Sequence, residues 1–123
     1  MRVYVSHARR TNFEGELYKP LREANFPVEF IFPYENNPQS FNVKQMLEEK
    51  QCDLVLAEVS HPATGQGIEL AWAEAQGVPI VCIYKQGAGI SGSLKFLTDK
   101  FLQYENEVDM VNKVSIELGF NIA

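Results

Sequence analysis

Residues 54–84 read LVLAEVSHPATGQGIELAWAEAQGVPIVCIY, and this stretch decides the fold. Its two apolar runs, 54–57 and 80–84, are typical of strands that are buried on both faces of a parallel sheet. Between them, a polar loop with two glycines gives way to residues 68–76, whose composition favours a helix. The stretch therefore predicts a strand, a loop, a helix and a second strand.

The acidic residue Glu69 follows the glycines of this loop and is predicted to lie in or near the first turn of the helix. The open backbone N–H groups and the macrodipole of a helix N-terminus favour an anion, so we expect Glu69 to be ionised. A carboxylate beside Gly65 and Gly67, where a ligand can approach the backbone closely, suits a nucleophile or a stabiliser of a developing cation. An ordinary acidic residue of a first helical turn fits the same spacing.

The composition is that of a soluble globular protein with one domain, residues 1–123. Of the 123 residues, 46% are hydrophobic and 22% are charged, and this length holds one core but not two. The net charge is −5 and the basic residues are scattered apart from Arg9 and Arg10, which disfavours nucleic-acid binding. No run has the length of a membrane helix and the first residues do not resemble a signal peptide, so we expect a cytoplasmic protein.

The cysteines and histidines do not form a metal-binding pattern. Cys52 and Cys82 lie beside or within apolar runs without CxxC spacing, which is typical of buried free thiols. The only histidines, His7 and His61, are too few to complete a zinc site. We therefore predict neither a disulfide nor a bound metal.

The rest of the chain continues the alternation of strands and helices. Further strands are predicted at residues 2–6 or 2–7, 28–32 and 101–104, and further helices at 13–24, 40–51 and 108–118. This alternation implies right-handed crossovers and a doubly wound parallel α/β sheet of five strands in the order 2-1-3-4-5.

Local signals place the ends of these helices. Asn12 and Ser40 are suitable N-cap residues for two of them, and Gly119 is placed to end the last one. Pro20 is expected to bend or weaken the first helix. In the last helix, Val108 is expected to face inward with the other apolar residues of its stripe.

In a sheet of this kind, ligands bind outside the C-terminal ends of the strands, near the point where the strand order reverses. That edge carries carboxylates, hydroxyls, backbone amides and aromatic rings, which suit a sugar or a nucleoside better than a purely apolar ligand. Its residues are Tyr4, Ser6, His7 and Arg9 after the first strand, 34–37 after the second, 58–69 after the third and 85–93 after the fourth. The last of these loops is expected to be mobile and could close over a ligand.

Missing motifs exclude several enzyme classes. The GQG sequence lacks the third glycine of a dinucleotide fingerprint, no GxxxxGK[ST] loop occurs, and no serine lies on a GxSxG elbow.

Glu58 is either bound by neighbouring loop amides or a second acidic group near Glu69, and Tyr4 is either a core aromatic or a partner of the nucleophile. Ser91 and Ser93 either provide loop polarity or cradle a phosphate.

Four segments together resemble the nucleoside 2-deoxyribosyltransferase family, in particular its small branch of 2′-deoxynucleoside 5′-monophosphate N-glycosidases. They are MRVYV at 1–5, DLVLAEVS at 53–60, GQGIEL at 65–70 and PIVCIY at 79–84. The resemblance implies a flavodoxin-like three-layer sandwich, a homodimer or larger homo-oligomer, and no metal or organic cofactor. It also implies a nucleoside or nucleotide substrate whose N-glycosidic bond is cleaved, with the sugar passed to water or to another base.

The same resemblance implies roles for single residues. Glu69 matches the glutamate that attacks the anomeric carbon and forms a covalent glycosyl-enzyme. Tyr4 matches the tyrosine that orients this glutamate, and Ser93 matches the serine that contacts the 5′-phosphate. The substrate is expected to be held by residues of the same edge: Ser6, His7, Glu58, Gly65, Gly67, Ser91 and Ser93.

Three positions depart from the family pattern. His7 replaces a glycine of the first loop, Ala63 replaces a serine or aspartate before the nucleophile, and Gln45 stands where an aspartate assists the departing base. These changes fit another substrate, a replacement acid at Glu58 or His7, or a loss of catalysis. The sequence therefore supports two hypotheses, a glycosidic-bond enzyme and a non-catalytic nucleotide-binding or sensing module. A receiver-like interaction domain is disfavoured, because no acidic cluster ends the first strand.

Overall fold

The computed structural model describes residues 1–35 and 41–120. Within these residues, five parallel strands form one sheet in the order β2-β1-β3-β4-β5, which confirms the order expected from the sequence. The strands are β1 (Arg2–His7), β2 (Glu29–Ile31), β3 (Leu54–Glu58), β4 (Ile80–Lys85) and β5 (Phe101–Tyr104). The strand order reverses between β1 and β3, so the ligand-binding crevice is expected there.

Helices cover both faces of this sheet and complete a flavodoxin-like α/β fold of three layers. They are a π-helical turn (Glu14–Tyr18) that runs into α1 (Lys19–Glu23), then α2 (Val43–Glu48), α3 (Thr64–Ala75), a 3₁₀ turn (Gly92–Phe96) and α4 (Glu107–Leu118). The helices α2 and α3 pack on one face, and α1 and α4 pack on the other.

The pleat of β1 sends its side chains alternately to these two layers. Val3 and Val5 pack beneath α1 and α4, whereas Tyr4 packs beneath α2 and α3. By the same alternation, Ser6 faces α3 and His7 faces the opposite layer, as their hydrogen bonds show. Neighbouring residues of one strand therefore serve different sides of the sheet.

The helix after β3 begins earlier than the sequence predicted. Its first residue is Thr64, and Ala63 precedes it in an extended conformation with no side-chain cap. Gly65 and Gly67, which were expected in the loop, lie inside the helix, because glycine weakens a helical turn without preventing it. Glu69, which was expected in or near the first turn, therefore lies in the second turn.

The second helix also differs from the expectation. Asn42 caps it by accepting a hydrogen bond from the Gln45 backbone N–H over 2.9 Å, and the helix ends at Glu48, before Gln51. Ser40, the expected N-cap, lies outside the described residues. Asn is as good an N-cap as Ser, so the sequence signal placed the start only approximately.

The predictions for the first and last helices are confirmed only in part. Asn12 accepts a backbone hydrogen bond from the following turn over 3.4 Å, as an N-cap would, and Pro20 lies at the start of α1, after the π-helical turn. Gly119 ends α4 in the left-handed region, with φ of 83°, as predicted. Val108 is 72% exposed, so its expected inward orientation was wrong, and Met110 occupies the buried position instead.

Candidate active site

Two hydroxyl groups hold the carboxylate of Glu69 near the C-terminal edge of the sheet. Tyr4 Oη and Ser6 Oγ, both on β1, each donate a hydrogen bond to Glu69 Oε1 over 3.1 Å. The two donors are fully buried and Glu69 is half-buried. Among the residues that the structure describes, none donates a hydrogen bond to the second oxygen, Oε2. Within the described residues, one carboxylate oxygen is therefore fixed and the other accepts no hydrogen bond.

Burial and these two hydrogen bonds shift the pKa of Glu69 in opposite directions. Removal from water raises the pKa of Glu69, whereas the hydrogen bonds from Tyr4 and Ser6 lower it. Burial, together with the charge of Glu69, also raises the pKa of Tyr4, which keeps its hydroxyl protonated as a donor. Ionisation of Glu69 therefore depends on the two β1 donors, and not on the helix N-terminus that the sequence suggested.

A cleft of about 400 Å³ opens beside α3. The loop between β3 and α3 forms one wall, the start of α3 forms a second, and the segment around the 3₁₀ turn forms a third. From α3, Gly67 and Leu70 line the cleft, and they flank Glu69 along the helix. Glu69 itself is not among the lining residues, and its carboxylate contacts β1 through Tyr4 and Ser6.

The cleft offers hydrogen-bond donors for an anion. Ala63 has no side chain that could cap α3, so the first backbone N–H groups of this helix are left for a ligand. Ser91 and Ser93 line the opposite wall, joined by a hydrogen bond of 3.4 Å from the Ser93 N–H to Ser91 Oγ. Among the described lining residues, His61 is the one titratable side chain. These groups together suit a phosphate.

The second acidic residue of the edge, Glu58, is bound by protein groups. The Ser60 backbone N–H donates to its Oε1 over 2.7 Å and Ser60 Oγ donates to its Oε2 over 2.8 Å. The Tyr104 hydroxyl donates to Oε2 as well, and this contact helps to raise the pKa of Tyr104 after the larger effect of burial. Glu58 follows Leu56 on the face of α1 and α4, so its side chain points away from the layer that holds Glu69.

His7, which replaces the first-loop glycine, is buried in an aromatic cluster. Its ring stacks on Phe13, with centroids 4.5 Å apart, and Tyr34 packs against it edge-on. Nδ1 lies 2.8 Å from the Ala8 carbonyl and Nε2 lies 2.6 Å from the Tyr18 hydroxyl. A carbonyl only accepts, so Nδ1 carries the hydrogen and Nε2 accepts from Tyr18 in the neutral ring. Burial lowers the pKa of His7, which favours this neutral form.

The structure thus brings together only some of the residues that the sequence proposed. Tyr4, Ser6 and Glu69 meet on one face of the sheet, and Gly67, Ser91 and Ser93 line the cleft beside α3. Gly65 lies in the first turn of α3 with open space around it, while Glu58 and His7 face the opposite layer.

Two further residues are placed by contacts that the sequence did not predict. Ser6 was expected to bind the ligand, but it contacts Glu69, and its two-residue spacing from Tyr4 on one strand was the available signal. Gln45 is exposed on α2, where its side chain donates to Glu49 over 3.1 Å. In this arrangement the side chain of Gln45 is hydrogen-bonded to Glu49 and not to Tyr4, Ser6 or Glu69.

Within residues 1–35 and 41–120, no group of three or more His, Cys, Asp or Glu side chains could hold a metal ion. Cys52 and Cys82 are buried free thiols, as predicted, and burial raises the pKa of Cys82 to about 11. In the described ranges, none of the helices combines the length and the apolar character needed to cross a membrane.

Sequence comparison finds relatives over part of the chain. A match of 39 residues is 49% identical to a candidate 2′-deoxynucleoside 5′-phosphate N-hydrolase 1 of Syntrophotalea carbinolica and spans 32% of this chain and 28% of the relative. A match of 40 residues is 45% identical to the 5-hydroxymethyl-dUMP N-hydrolase of Mus musculus and spans 32% and 23%. A match of 73 residues, 30% identical, to a second candidate N-hydrolase 1, from Methanosarcina barkeri, spans 59% and 46%. The chain therefore matches less than half the length of each relative, and no family model matches it.

Solved structures share the fold over almost the whole chain. The CMP N-glycosidase BcmB of Clostridium botulinum aligns with a TM-score of 0.65 and 21% identity, over 94% of this chain and 99% of that one. A conserved protein from Enterococcus faecalis V583 aligns with a TM-score of 0.58 and 13% identity, over 95% and 98%. The chain is therefore similar in sequence to 2′-deoxynucleoside 5′-phosphate N-hydrolases, as its motif segments predicted, and it has a flavodoxin-like fold.

Proposed function

We propose that this chain cleaves the N-glycosidic bond of a nucleoside 5′-monophosphate, with Glu69 as the nucleophile. The observation that carries the proposal is the half-bound carboxylate of Glu69, whose Oε1 is held by Tyr4 and Ser6 while Oε2 accepts no hydrogen bond from the described residues. A nucleophile needs this combination of a fixed orientation and a free oxygen. The names of the similar proteins, which include N-hydrolases of deoxynucleotides, support the substrate class.

The chemistry is a double displacement at the anomeric carbon of the sugar. Oε2 of Glu69 forms a bond to C1′ while the bond from C1′ to the base nitrogen breaks, and the electron pair of that bond leaves with the base, which takes up a proton. Water then bonds to C1′, loses a proton and releases the carboxylate. Splitting one difficult step into two lowers the overall barrier, and the carboxylate also stabilises the oxocarbenium-like transition states.

The cleft beside α3 is proposed to bind the 5′-phosphate. The uncapped start of α3 offers backbone N–H groups, and Ser91 and Ser93 offer hydroxyls on the facing wall. Because Gly67 lines the cleft and Glu69 follows it by less than one helical turn, one helix joins the phosphate site to the nucleophile. Binding energy from the phosphate can then orient the sugar against Glu69.

A non-catalytic nucleotide-binding module is the second candidate. The observation that favours it is Gln45, which is exposed, bonded to Glu49 and unable to supply a proton to a departing base. Loss of a general acid costs roughly 10²–10⁴ in rate. The enzyme hypothesis therefore requires a base that leaves without help from this position.

One experiment separates the two candidates. The protein is incubated with a panel of nucleosides and their 5′-monophosphates, and the free base is measured by chromatography. Base release that disappears in Glu69→Gln supports the enzyme, whereas thermal stabilisation by a nucleotide without base release supports the binder. Glu74→Gln is a matched control, because it makes the same change at an exposed position of the same helix. Adding a second base to the assay distinguishes transfer of the sugar from hydrolysis.

We further propose that the chain acts as a homodimer. Ile68 and Trp72 lie one turn apart on α3, and Ile68 is 46% exposed, which suits a contact with a second copy. Sedimentation of the purified protein tests this directly. A monomer at concentrations where base release is measured contradicts the proposal.

A further inference from the structure

We propose that Ser6 is a positioning residue for Glu69 and that it makes Oε2 the attacking oxygen. The inference rests on the proposed function and adds a residue to it. Ser6 Oγ and Tyr4 Oη reach the same atom, Glu69 Oε1, and both distances are 3.1 Å. A single hydrogen bond leaves a carboxylate free to turn about that contact, whereas two donors from one rigid strand hold its plane. Oε2 is then presented in one direction.

The surroundings of Ser6 do not suit a direct contact with substrate. The residue has no exposed surface, so a ligand cannot reach its hydroxyl without displacing packed side chains. The hydroxyl has one hydrogen to donate, and it donates it to Glu69. Ser6 can therefore affect catalysis only through Glu69, which separates it from the serines of the cleft.

The second effect of Ser6 concerns ionisation. Hydrogen bonds to a carboxylate favour its charged form, and the Ser6 hydroxyl is one of the two that oppose the effect of burial on Glu69. Removing the hydroxyl should therefore leave Glu69 protonated up to a higher pH. It should also leave the carboxylate held by Tyr4 alone.

The test compares Ser6→Ala with Ser115→Ala. Ser115 is a matched control, because it is also buried and its hydroxyl donates to the Phe120 carbonyl, on α4 and away from Glu69. In base release from a 5′-monophosphate, Ser6→Ala is expected to lower kcat about ten-fold. Its KM should remain near that of the parent protein, and the acidic limb of its pH–rate profile should move to higher pH. Ser115→Ala should change none of these three quantities.

Two outcomes would overturn the assignment. A Ser6→Ala protein with the parental kcat and pH profile shows that the hydrogen bond has no catalytic role. A large rise in KM at an unchanged kcat shows instead that Ser6 binds substrate.

A measurement without substrate keeps this test separate from the proposed function. The carboxyl carbon of Glu69 is followed by NMR in ¹³C-glutamate-labelled protein and is identified by its absence in Glu69→Gln. In Ser6→Ala its titration should move to higher pH, and an unmoved titration contradicts the positioning role. If the parent protein releases no base from any substrate, the proposed function fails, while this titration still decides whether Ser6 controls Glu69.

Discussion

Two glutamates lie near the C-terminal edge of the sheet, and protein groups bind them in different ways. Both oxygens of Glu58 accept hydrogen bonds, from Ser60 and from the Tyr104 hydroxyl. Glu69 accepts two hydrogen bonds on one oxygen, and the described residues donate none to the other. A carboxylate with both oxygens occupied is a structural anchor, whereas a half-bound one keeps a free oxygen in a fixed direction. The pattern of occupied oxygens, rather than the mere presence of a buried acid, distinguishes the two.

The largest expected effect comes from converting each carboxylate to an amide. Glu69→Gln removes the nucleophile, so base release is expected to fall by about 10³-fold or more. Glu58→Gln should keep base release within about ten-fold of the parent, because its side chain faces the other layer of the sheet. Chromatography of the released base measures both. A greater loss in Glu58→Gln than in Glu69→Gln would reverse the comparison.

The two tyrosines that donate to these glutamates form the next pair. Tyr4→Phe removes one of the two bonds to Glu69, and kcat is expected to fall about 10- to 100-fold, with the acidic limb of the pH–rate profile moved to higher pH. Tyr104→Phe removes a bond to Glu58 and should leave kcat within about two-fold. Steady-state kinetics over a range of pH distinguishes the two variants. Equal losses in kcat would show that the hydrogen bond between Tyr104 and Glu58 also contributes to catalysis.

The sheet could be predicted from the sequence because its signals are local. The apolar runs 54–57 and 80–84 each form one buried strand, and the helix-favouring segment between them forces a crossover. The start of α3 could not be predicted in the same way. Ala63 gives no capping signal, and glycines in the first turns resemble a loop when only composition is considered.

The site was predicted only in part, because its contacts join distant parts of the chain. The pairing of Tyr4 with Glu69 was implied by the family resemblance, and the structure contains that hydrogen bond. The second donor, Ser6, could be found only by combining the pleat of β1 with the position of α3 above it. The partner of Glu58 comes from β5, and nothing near Glu58 in the sequence indicates which side chain will reach it.

A smaller effect, on stability, is expected when the hydrogen bond from Tyr104 to Glu58 is removed. Tyr104→Phe leaves a buried carboxylate oxygen with one donor fewer, so the free energy of unfolding should fall by about 1–3 kcal/mol. Urea denaturation followed by circular dichroism measures this loss. Tyr84→Phe is a suitable control, because Tyr84 is a partly buried tyrosine of the neighbouring strand β4. An unchanged free energy of unfolding in Tyr104→Phe would show that the bond to Glu58 is not a structural anchor.

The smallest expected effect has the opposite sign and concerns Glu69. Burial raises the pKa of Glu69 in the folded protein above its value in the unfolded chain, so its contribution to stability is present below the unfolded pKa of about 4.3 and is lost as the pH rises through the folded pKa. Glu69→Gln should therefore raise Tm at neutral pH and leave it unchanged near pH 4. Thermal unfolding followed at both values tests the sign. A lower Tm for Glu69→Gln at neutral pH would mean that the Tyr4 and Ser6 hydrogen bonds lower the pKa of Glu69 more than burial raises it. The ionised carboxylate would then stabilise the folded protein.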